Sequence, residues 1–345
     1  MIRPLVSIIT PCYREEKTIG RLLEAVRAQT YPVEMMEVVV ADGISDDGTL
    51  REIELFRRSR PELCVRVLEN PDRIIPSALN RAIAASHGEI LLRLDGHSLP
   101  SSEYVATCVE LLQRGKGDMV GGVWRIQPGD GSWQASAIAA AASHPFGVGD
   151  AYYRWASSAR EVDTLAFWAF RKAWIDRVGL FDETLHSNED YDFNSRFRAA
   201  GGKIWLDPSV ECVYFARQSF AALARQYWRY GFWKAKMARR KPETLVWRQV
   251  LPPLGVLTSV GLLVGGLFRR ECLWIIGVGL STYLVFLLVA GINSSMSRRR
   301  WDLLVGVPIA ILLMHWIWGA AFLAGMVSRS ETPTPFRRSG RFTLT

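Results

Sequence analysis

Ile90-Leu91-Leu92-Arg93-Leu94-Asp95-Gly96-His97 is the stretch from which the rest of the chain is placed. Its apolar run, Glu89–Leu94, reads as a strand buried on both faces. It stops at Asp95-Gly96-His97, a carboxylate and an imidazole two residues apart. Hard divalent cations favour oxygen ligands, and manganese also accepts imidazole, so this pair suits a cation carried by a diphosphate. The plainer reading is a polar turn after a strand. The position of the pair at the end of a buried strand favours the cation site.

Upstream, strands and helices alternate. Leu5–Thr10 reads as a buried strand, followed by the turn Pro11-Cys12-Tyr13-Arg14-Glu15 and an amphipathic helix Glu15–Gln29, with Ile19, Leu22, Leu23 and Val26 on one face. Glu37–Ala41 is the next strand and ends at Asp42-Gly43. Thr49–Arg58 is helical, Cys64–Glu69 is a third strand, and Pro76 opens a helix that runs to Ser86. This order predicts an α/β fold with a mostly parallel central sheet. Ligands of such sheets bind beyond the carboxyl ends of the strands. Asp42 and Asp95 both lie at such ends, which brings them to one cleft.

Downstream the alternation loosens. Ser101–Arg114 reads as a helix, Met119–Arg125 as a strand and Ala135–Ser143 as an Ala-rich helix. The Gly- and aromatic-containing stretch His144–Ala159 is expected to be a mobile loop. Arg171–Val178 and Ser187–Ala200 read as helices, Lys203–Leu206 and Val210–Tyr214 as short strands. Phe220–Arg240 is a long helix carrying Tyr227, Trp228, Tyr230, Phe232 and Trp233 among basic residues, a composition suited to a membrane interface. Trp228 and Trp233 read as anchors of an aromatic belt.

Three apolar runs follow, at 251–268, 272–292 and 303–327. The last two approach the roughly 20 residues that a spanning helix needs. The first begins at Pro252-Pro253 and contains four glycines, so a span and a re-entrant segment are both open. Arg298–Arg300 between the second and third runs favours a cytoplasmic loop. Three spans then put the C-terminus outside, whereas the Arg337–Arg341 cluster argues the other way. The Ser/Thr/Pro/Arg-rich tail, residues 328–345, reads as disordered.

Composition narrows the class. The 345 residues carry a net charge of +8, but Lys and Arg cluster beside the apolar runs, the pattern of contact with anionic lipid. No basic-aromatic motif lies elsewhere, so nucleic acid is not an expected partner. Five scattered cysteines, none spaced as Cys-x-x-Cys, argue against disulfides and structural zinc and suit a reducing compartment. The N-terminal apolar run, Leu5–Ile9, is too short for a signal peptide. His87, His144, His186 and His315 form no metal-ligand spacing.

Each remaining candidate has a plain reading beside it. Pro11, Tyr13 and Glu15 form a loop that can pack a base or ribose, or simply a strand-to-helix turn. Asp42 can accept from a base or ribose hydroxyls, with Asp46 and Asp47 capping the next helix. Glu189-Asp190 opens a helix, where a carboxylate serves either as general base or merely as a favourable charge at the dipole. Gln226, Arg229 and Tyr230 can meet a sugar and a phosphate, or sit at an interface.

In order and spacing these motifs resemble family 2 glycosyltransferases with a GT-A fold, of the exopolysaccharide type that includes succinoglycan biosynthesis enzymes. The resemblance runs from about Val6 to Lys236. It rests on Val6–Pro11, Asp42-Gly43, Asp47-Gly48-Thr49, Asn70-Pro71, Asn80, Asp95-Gly96-His97, Gly179 with Phe181-Asp182-Glu183, Glu189-Asp190 and Gln226–Tyr230. It implies that Pro11, Tyr13, Glu15, Asp42 and Asp95 bind the nucleotide and that Asp95 and His97 hold Mg or Mn. It further implies that Asp190, with Glu189 beside it, is the catalytic base and that Gln226, Arg229 and Tyr230 shape the acceptor site. The chain departs from the family pattern at His97, where a second Asp is usual, and at Tyr230, where Trp is usual.

The expected organisation is a GT-A catalytic domain at 1–218, an amphipathic interfacial region at 219–250, a membrane region at 251–327 and the tail. The expected activity is inverting transfer from a nucleotide-diphosphate sugar, by resemblance a UDP-sugar, to a lipid-linked saccharide at the inner face of the cell membrane, alongside other polysaccharide-assembly proteins. A processive polysaccharide synthase and a non-catalytic nucleotide-binding scaffold are the competing expectations.

Overall fold

The computed structural model describes residues 3–328. The Arg337–Arg341 cluster and all of the expected tail except Ser328 lie outside these residues. The chain divides into two units.

The first unit runs through Arg125 and resumes over Trp155–Tyr214. Its elements begin β1 (Val6–Cys12), α1 (Ile19–Arg27), β2 (Met36–Asp42), α2 (Thr49–Ser59), β3 (Cys64–Glu69), α3 (Ile75–Ala85) and β4 (Ile90–Arg93). They continue with β5 (Leu99–Pro100), α4 (Tyr104–Gln113) and β6 (Met119–Gln127). After α5 (Trp133–Ala142) and α6 (Pro145–Val148), which belong to the second unit, come β7 (Arg160–Glu161), β8 (Ala169–Arg171), α7 (Ile175–Val178), α8 (Glu189–Ala199) and β9 (Ile204–Phe215).

The sheet runs in the order β3-β2-β1-β4-β8-β6-β9-β5, with β7 also on β9. β1 pairs in parallel with β2 and β4, and β2 with β3. β8 then enters antiparallel between β4 and β6. Every residue of β1 and β2 is buried, as their continuous apolar runs require. Ile8, Val38, Val40 and Leu92 join the α1 face (Ile19, Leu22, Leu23, Val26) and Tyr104, Val105 and Cys108 of α4 in one core. A second cluster is aromatic: Phe181 and Phe193 stack at 4.4 Å, and Trp168 lies 4.8 Å from Phe170.

Two expected elements differ. Arg171 does not start a helix but ends β8, with a 3-10 turn before α7. The two expected short strands are one, β9. Ser209 donates its backbone N–H to Asp207 Oδ1 at 3.0 Å, local turn chemistry that mimics a strand break while the strand continues through it.

The second unit comprises residues 126–154 and 215–328 of the described chain. It adds α9 (Phe220–Arg240), α10 (Trp247–Gly265), α11 (Arg270–Arg298) and α12 (Leu303–Val327). Close backbone approach joins α12 to its neighbours. A Cβ on Gly231 of α9 would meet the Trp318 carbonyl oxygen at 2.3 Å, and one on Gly325 would meet that of Phe232 at 2.6 Å. Trp233, expected as an interfacial anchor, is instead buried with Phe232 against Ala321.

α10, α11 and α12 are each long and apolar enough to cross a membrane. α10 is one continuous helix through Pro252-Pro253. Within the expected loop at His144–Ala159, residues 145–148 form the short helix α6, and two side chains meet distant partners. α6 places Phe146 against the rings of Tyr283, Phe286 and His315, and Asp150 accepts from Trp247 Nε1 at 3.0 Å and pairs with Arg248. Nothing local in the sequence announces those contacts.

Candidate active site

Parallel pairing sets Cys12 opposite Asp42 and Asp42 opposite Glu69, so the carboxyl ends of β1, β2 and β3 finish level. The loops that leave them form the site. Asp42 is buried, and both its oxygens bind Ser45: Oδ1 accepts from the hydroxyl at 2.6 Å and Oδ2 from the backbone N–H at 2.7 Å. Ser45 Oγ accepts in turn from Arg14 N–H at 2.8 Å, which ties the β2 loop to the β1 loop. Arg14 also forks onto Asp46. Asp46 is therefore an ion-pair partner, and Gly48, not either Asp, is the N-cap of α2, with Asp47 one residue ahead accepting from Thr49 N–H at 3.0 Å. Tyr13 is buried under two guanidinium groups, Arg14 at 5.5 Å and Arg73 at 5.7 Å from its ring. Burial, then the Asp42 charge, pushes the Cys12 thiol well up, so it stays protonated and acts as packing.

Glu15 links this half to the next. It is buried, and its carboxylate takes the Thr18 hydroxyl on one oxygen and lies 2.8 Å from His97 Nδ1 on the other. Gly96 is required between Asp95 and His97, since a Cβ there would fall 2.9 Å from Cγ of Glu15. A carboxylate on one ring nitrogen is how metal-ligating histidines are commonly held and aimed.

Asp95 meets the second acidic pair through Arg93. Arg93 Nε donates to Asp95 Oδ1 at 3.0 Å and Nη2 to Glu189 Oε1 at 3.2 Å. Glu189 and Asp190 are the first two residues of α8, after Asn188 in a left-handed conformation (φ 65°). Asp190 Oδ1 accepts from Tyr191 N–H at 2.8 Å. Burial first, then repulsion from Asp190, pushes Glu189 up to about 7 against the pull of Arg93. Burial also raises Asp190, with Arg93 opposing and Asp95 adding to the rise. The loop into α8 is fixed from α3: Asn80 donates to Phe181 O at 3.0 Å and accepts from Phe181 N–H at 2.8 Å.

Pro11, Tyr13, Glu15, Asp42, Asp95, His97, Glu189 and Asp190 therefore all belong to the first unit. Contacts through Ser45 join the β1 and β2 loops, Glu15 joins His97, and Arg93 joins Asp95 to Glu189. Gln226, Arg229 and Tyr230 belong to α9 of the second unit, where Gln226 Nε2 donates to the Tyr230 hydroxyl at 2.9 Å and Arg229 lies 5.7 Å from the Tyr230 ring. Sequence reasoning gave no role to Arg93, Ser45 or Thr18. Arg93 had a signal: it is the one charge in an otherwise apolar strand, on the face opposite Leu92 and Leu94.

The family described as "Glycosyl transferase family 2" matches residues 7–179. The chain belongs to this family. It is a glycosyltransferase. Among similar curated proteins is dolichyl N-acetyl-alpha-D-glucosaminyl phosphate 3-beta-D-2,3-diacetamido-2,3-dideoxy-beta-D-glucuronosyltransferase of Methanococcus voltae, 25% identical over 333 residues, covering 95% of this chain and 98% of that one. The succinoglycan biosynthesis protein ExoA of Rhizobium meliloti (strain 1021) is 29% identical over 318 residues, covering 91% and 93%. Among solved structures, the mannosyltransferase PcManGT from Pyrobaculum calidifontis, in complex with GDP-Man and Mn2+, superposes with a TM-score of 0.60 at 20% identity, covering 90% of this chain and 88% of that one. The fold is of the GT-A type seen in this glycosyltransferase family.

Among the described residues, no three His, Cys, Asp or Glu side chains gather into a group that holds a metal unaided. Asp95, with His97 held by Glu15, provides a smaller set. Mg2+ is commonly bound through one or two carboxylates plus substrate phosphates and water, so a cation site need not gather three side chains.

Proposed function

We propose that this glycosyltransferase moves a sugar from a nucleotide-diphosphate sugar to a lipid-linked saccharide, with inversion at the anomeric carbon. The observation that carries this reading is the Arg93 bridge, which joins the strand-end Asp95 to the acidic pair that opens α8. One carboxylate then belongs to the leaving diphosphate and another to the attacking hydroxyl. Asp42 and the Pro11–Glu15 loop receive the nucleotide. Asp95 and His97 hold the divalent cation, which when bound supplies positive charge to the departing diphosphate. Asp190 takes the proton of the acceptor hydroxyl as that oxygen bonds to the anomeric carbon. The bond to the nucleoside diphosphate breaks in the same displacement. Glu189 keeps Asp190 in a buried acidic environment, and Gln226, Arg229 and Tyr230 bind the acceptor.

GDP-Man and Mn2+ in the Pyrobaculum structure support a nucleotide-diphosphate sugar with a divalent cation. A UDP-sugar is the preferred donor on family resemblance. The Methanococcus relative's name specifies a dolichyl-linked sugar phosphate acceptor, which supports a lipid-linked acceptor here. Three apolar helices support a membrane location, and the basic Arg298–Arg300 stretch between the second and third supports a catalytic unit on the cytoplasmic side.

The test uses membranes from expressing cells, Mn2+ or Mg2+, and labelled UDP- and GDP-sugars, with Asp190→Asn membranes as control. Label should enter a short glycolipid extractable by organic solvent, and Asp190→Asn should lower it at least about 1,000-fold while nucleotide affinity stays within a few fold. Label in large insoluble material would favour the processive synthase. Wild-type transfer matched by Asp190→Asn would remove Asp190 from the chemistry.

A further inference from the structure

We propose that Arg93 is a positioning residue: its guanidinium fixes the distance between Asp95 and the Glu189-Asp190 pair, and so aligns the diphosphate end of the site with the proton-accepting end. This rests on the proposed glycosyl transfer and assigns it a residue that the acidic motifs leave out.

The side chain is 5% exposed, at the last position of β4. Its backbone is anchored on both sides, since Arg93 N–H donates to Trp168 O at 2.9 Å and the next N–H, of Leu94, donates to Ile9 O at 3.3 Å. One edge of the guanidinium binds two carboxylates from distant parts of the chain, Nε to Asp95 at 3.0 Å and Nη2 to Glu189 at 3.2 Å. Nη1 is buried and has no hydrogen-bond partner among the described residues. A buried cation with one donor unsatisfied is a costly choice for packing alone. The planar fork can hold two carboxylates at a set separation, which a Lys point charge cannot reproduce. Without it, the buried Glu189 carboxyl and the partly buried Asp95 carboxylate would lose the cation that lies between them.

Arg93→Lys keeps the charge and removes the fork; Arg93→Met removes both. Purified full-length protein in detergent is compared with wild type for UDP and GDP binding with and without Mn2+, for kcat and KM, and for thermal unfolding. Arg93→Lys should keep metal-free nucleotide affinity within about threefold while kcat falls about 100-fold, the scale of an ångström's misalignment. It should also raise the Mn2+ concentration that half-saturates nucleotide binding about tenfold, a readout independent of turnover. Combining Arg93→Lys with Glu189→Gln should cost no more in kcat than the larger single loss, because both act on one alignment. Wild-type kcat and Mn2+ dependence in Arg93→Lys would overturn the inference. So would equal losses of kcat, metal-free binding and unfolding temperature, which mark a purely structural role. A wild-type protein that binds neither nucleotide with Mn2+ would overturn the proposed activity along with this inference, whereas wild-type binding beside an unaltered Arg93→Lys overturns the inference alone.

Discussion

Glu189 and Asp190 are consecutive carboxylates with different work, and their surroundings explain how both can be kept. Burial raises both, and Arg93 restrains the rise. Two interacting acids release their protons in two steps that belong to the pair. Glu189 then holds its proton to about 7 in the folded protein, against an ordinary value of 4.5. Between those values the folded state binds the proton and the unfolded chain does not, so stability falls as pH rises through the window and is level above it. Glu189→Gln should flatten that fall, seen in denaturant midpoints measured from pH 4.5 to 8. Activity has the opposite slope, because the proposed base must be ionised. The acid limb of kcat/KM should lie above the ordinary carboxylate range near 4. A plateau that persisted down to pH 4.5 would contradict the environment given to Asp190.

Individual residues also mark the site in a way composition does not. Arg14, Ile44, Arg73 and Asn188 all have positive φ (56–65°), and they lie in the loops after β1, β2 and β3 and at the start of α8. A β-branched residue such as Ile44 rarely takes that conformation. Strain of this kind persists where surrounding contacts dictate the backbone. Here the Asp42–Ser45–Arg14 bonds do so.

Strands and helices with strong periodicity are readable from sequence, and the reasons are particular. β3 has the bounds expected of it, Cys64–Glu69, because Val65, Val67 and Leu68 make a short β-favouring run between turn signals. α1 is legible from Ile19, Leu22, Leu23 and Val26, all fully buried. β8 is not, because a three-residue strand between aromatic residues has no period to count and owes its existence to β4 and β6 on either side. The acidic positions could be named, but not their connections: the Glu15–His97 contact spans 82 residues and the Arg93–Glu189 contact 96.

Close helix packing in the second unit gives a prediction with an internal control. Gly231 faces backbone of α12, so Gly231→Ala should destabilise by about 1–3 kcal/mol through overpacking. At Gly255 of α10 a methyl group would meet nothing within 4 Å, so Gly255→Ala should stabilise its helix by about 0.5–1 kcal/mol. Thermal unfolding in detergent should move in opposite directions for the two. A shared direction would mean that helix propensity, not the approach of α9 to α12, sets the effect.

Among the described residues, exposed apolar side chains concentrate on α10, α11 and the turn between them, including Leu257, Leu263, Leu267, Phe268, Trp274 and Val278. Inside the chain, α10 is 6% buried over its apolar window, α11 22% and α12 39%. A patch of that extent needs an apolar surrounding, and a bilayer provides one. With all three helices in a bilayer, α10 and α11 would carry most of the lipid contact, and α12, covered by its neighbours, less. The two outer helices differ in margin: mean hydropathy is 1.2 for α10 and 2.3 for α11. A central Arg costs about 2.5–3.5 kcal/mol on insertion scales. That cost should exceed what α10 can bear and leave α11 inserted. With a cysteine introduced at Phe268, in the turn between them, a membrane-impermeant thiol reagent applied to the non-cytoplasmic face should label the otherwise wild-type protein and the Val278→Arg variant. Leu257→Arg should lose the label, because a failed α10 leaves the turn on the catalytic side. Equal labelling of all three would mean that protein packing, rather than hydropathy, holds α10 in place.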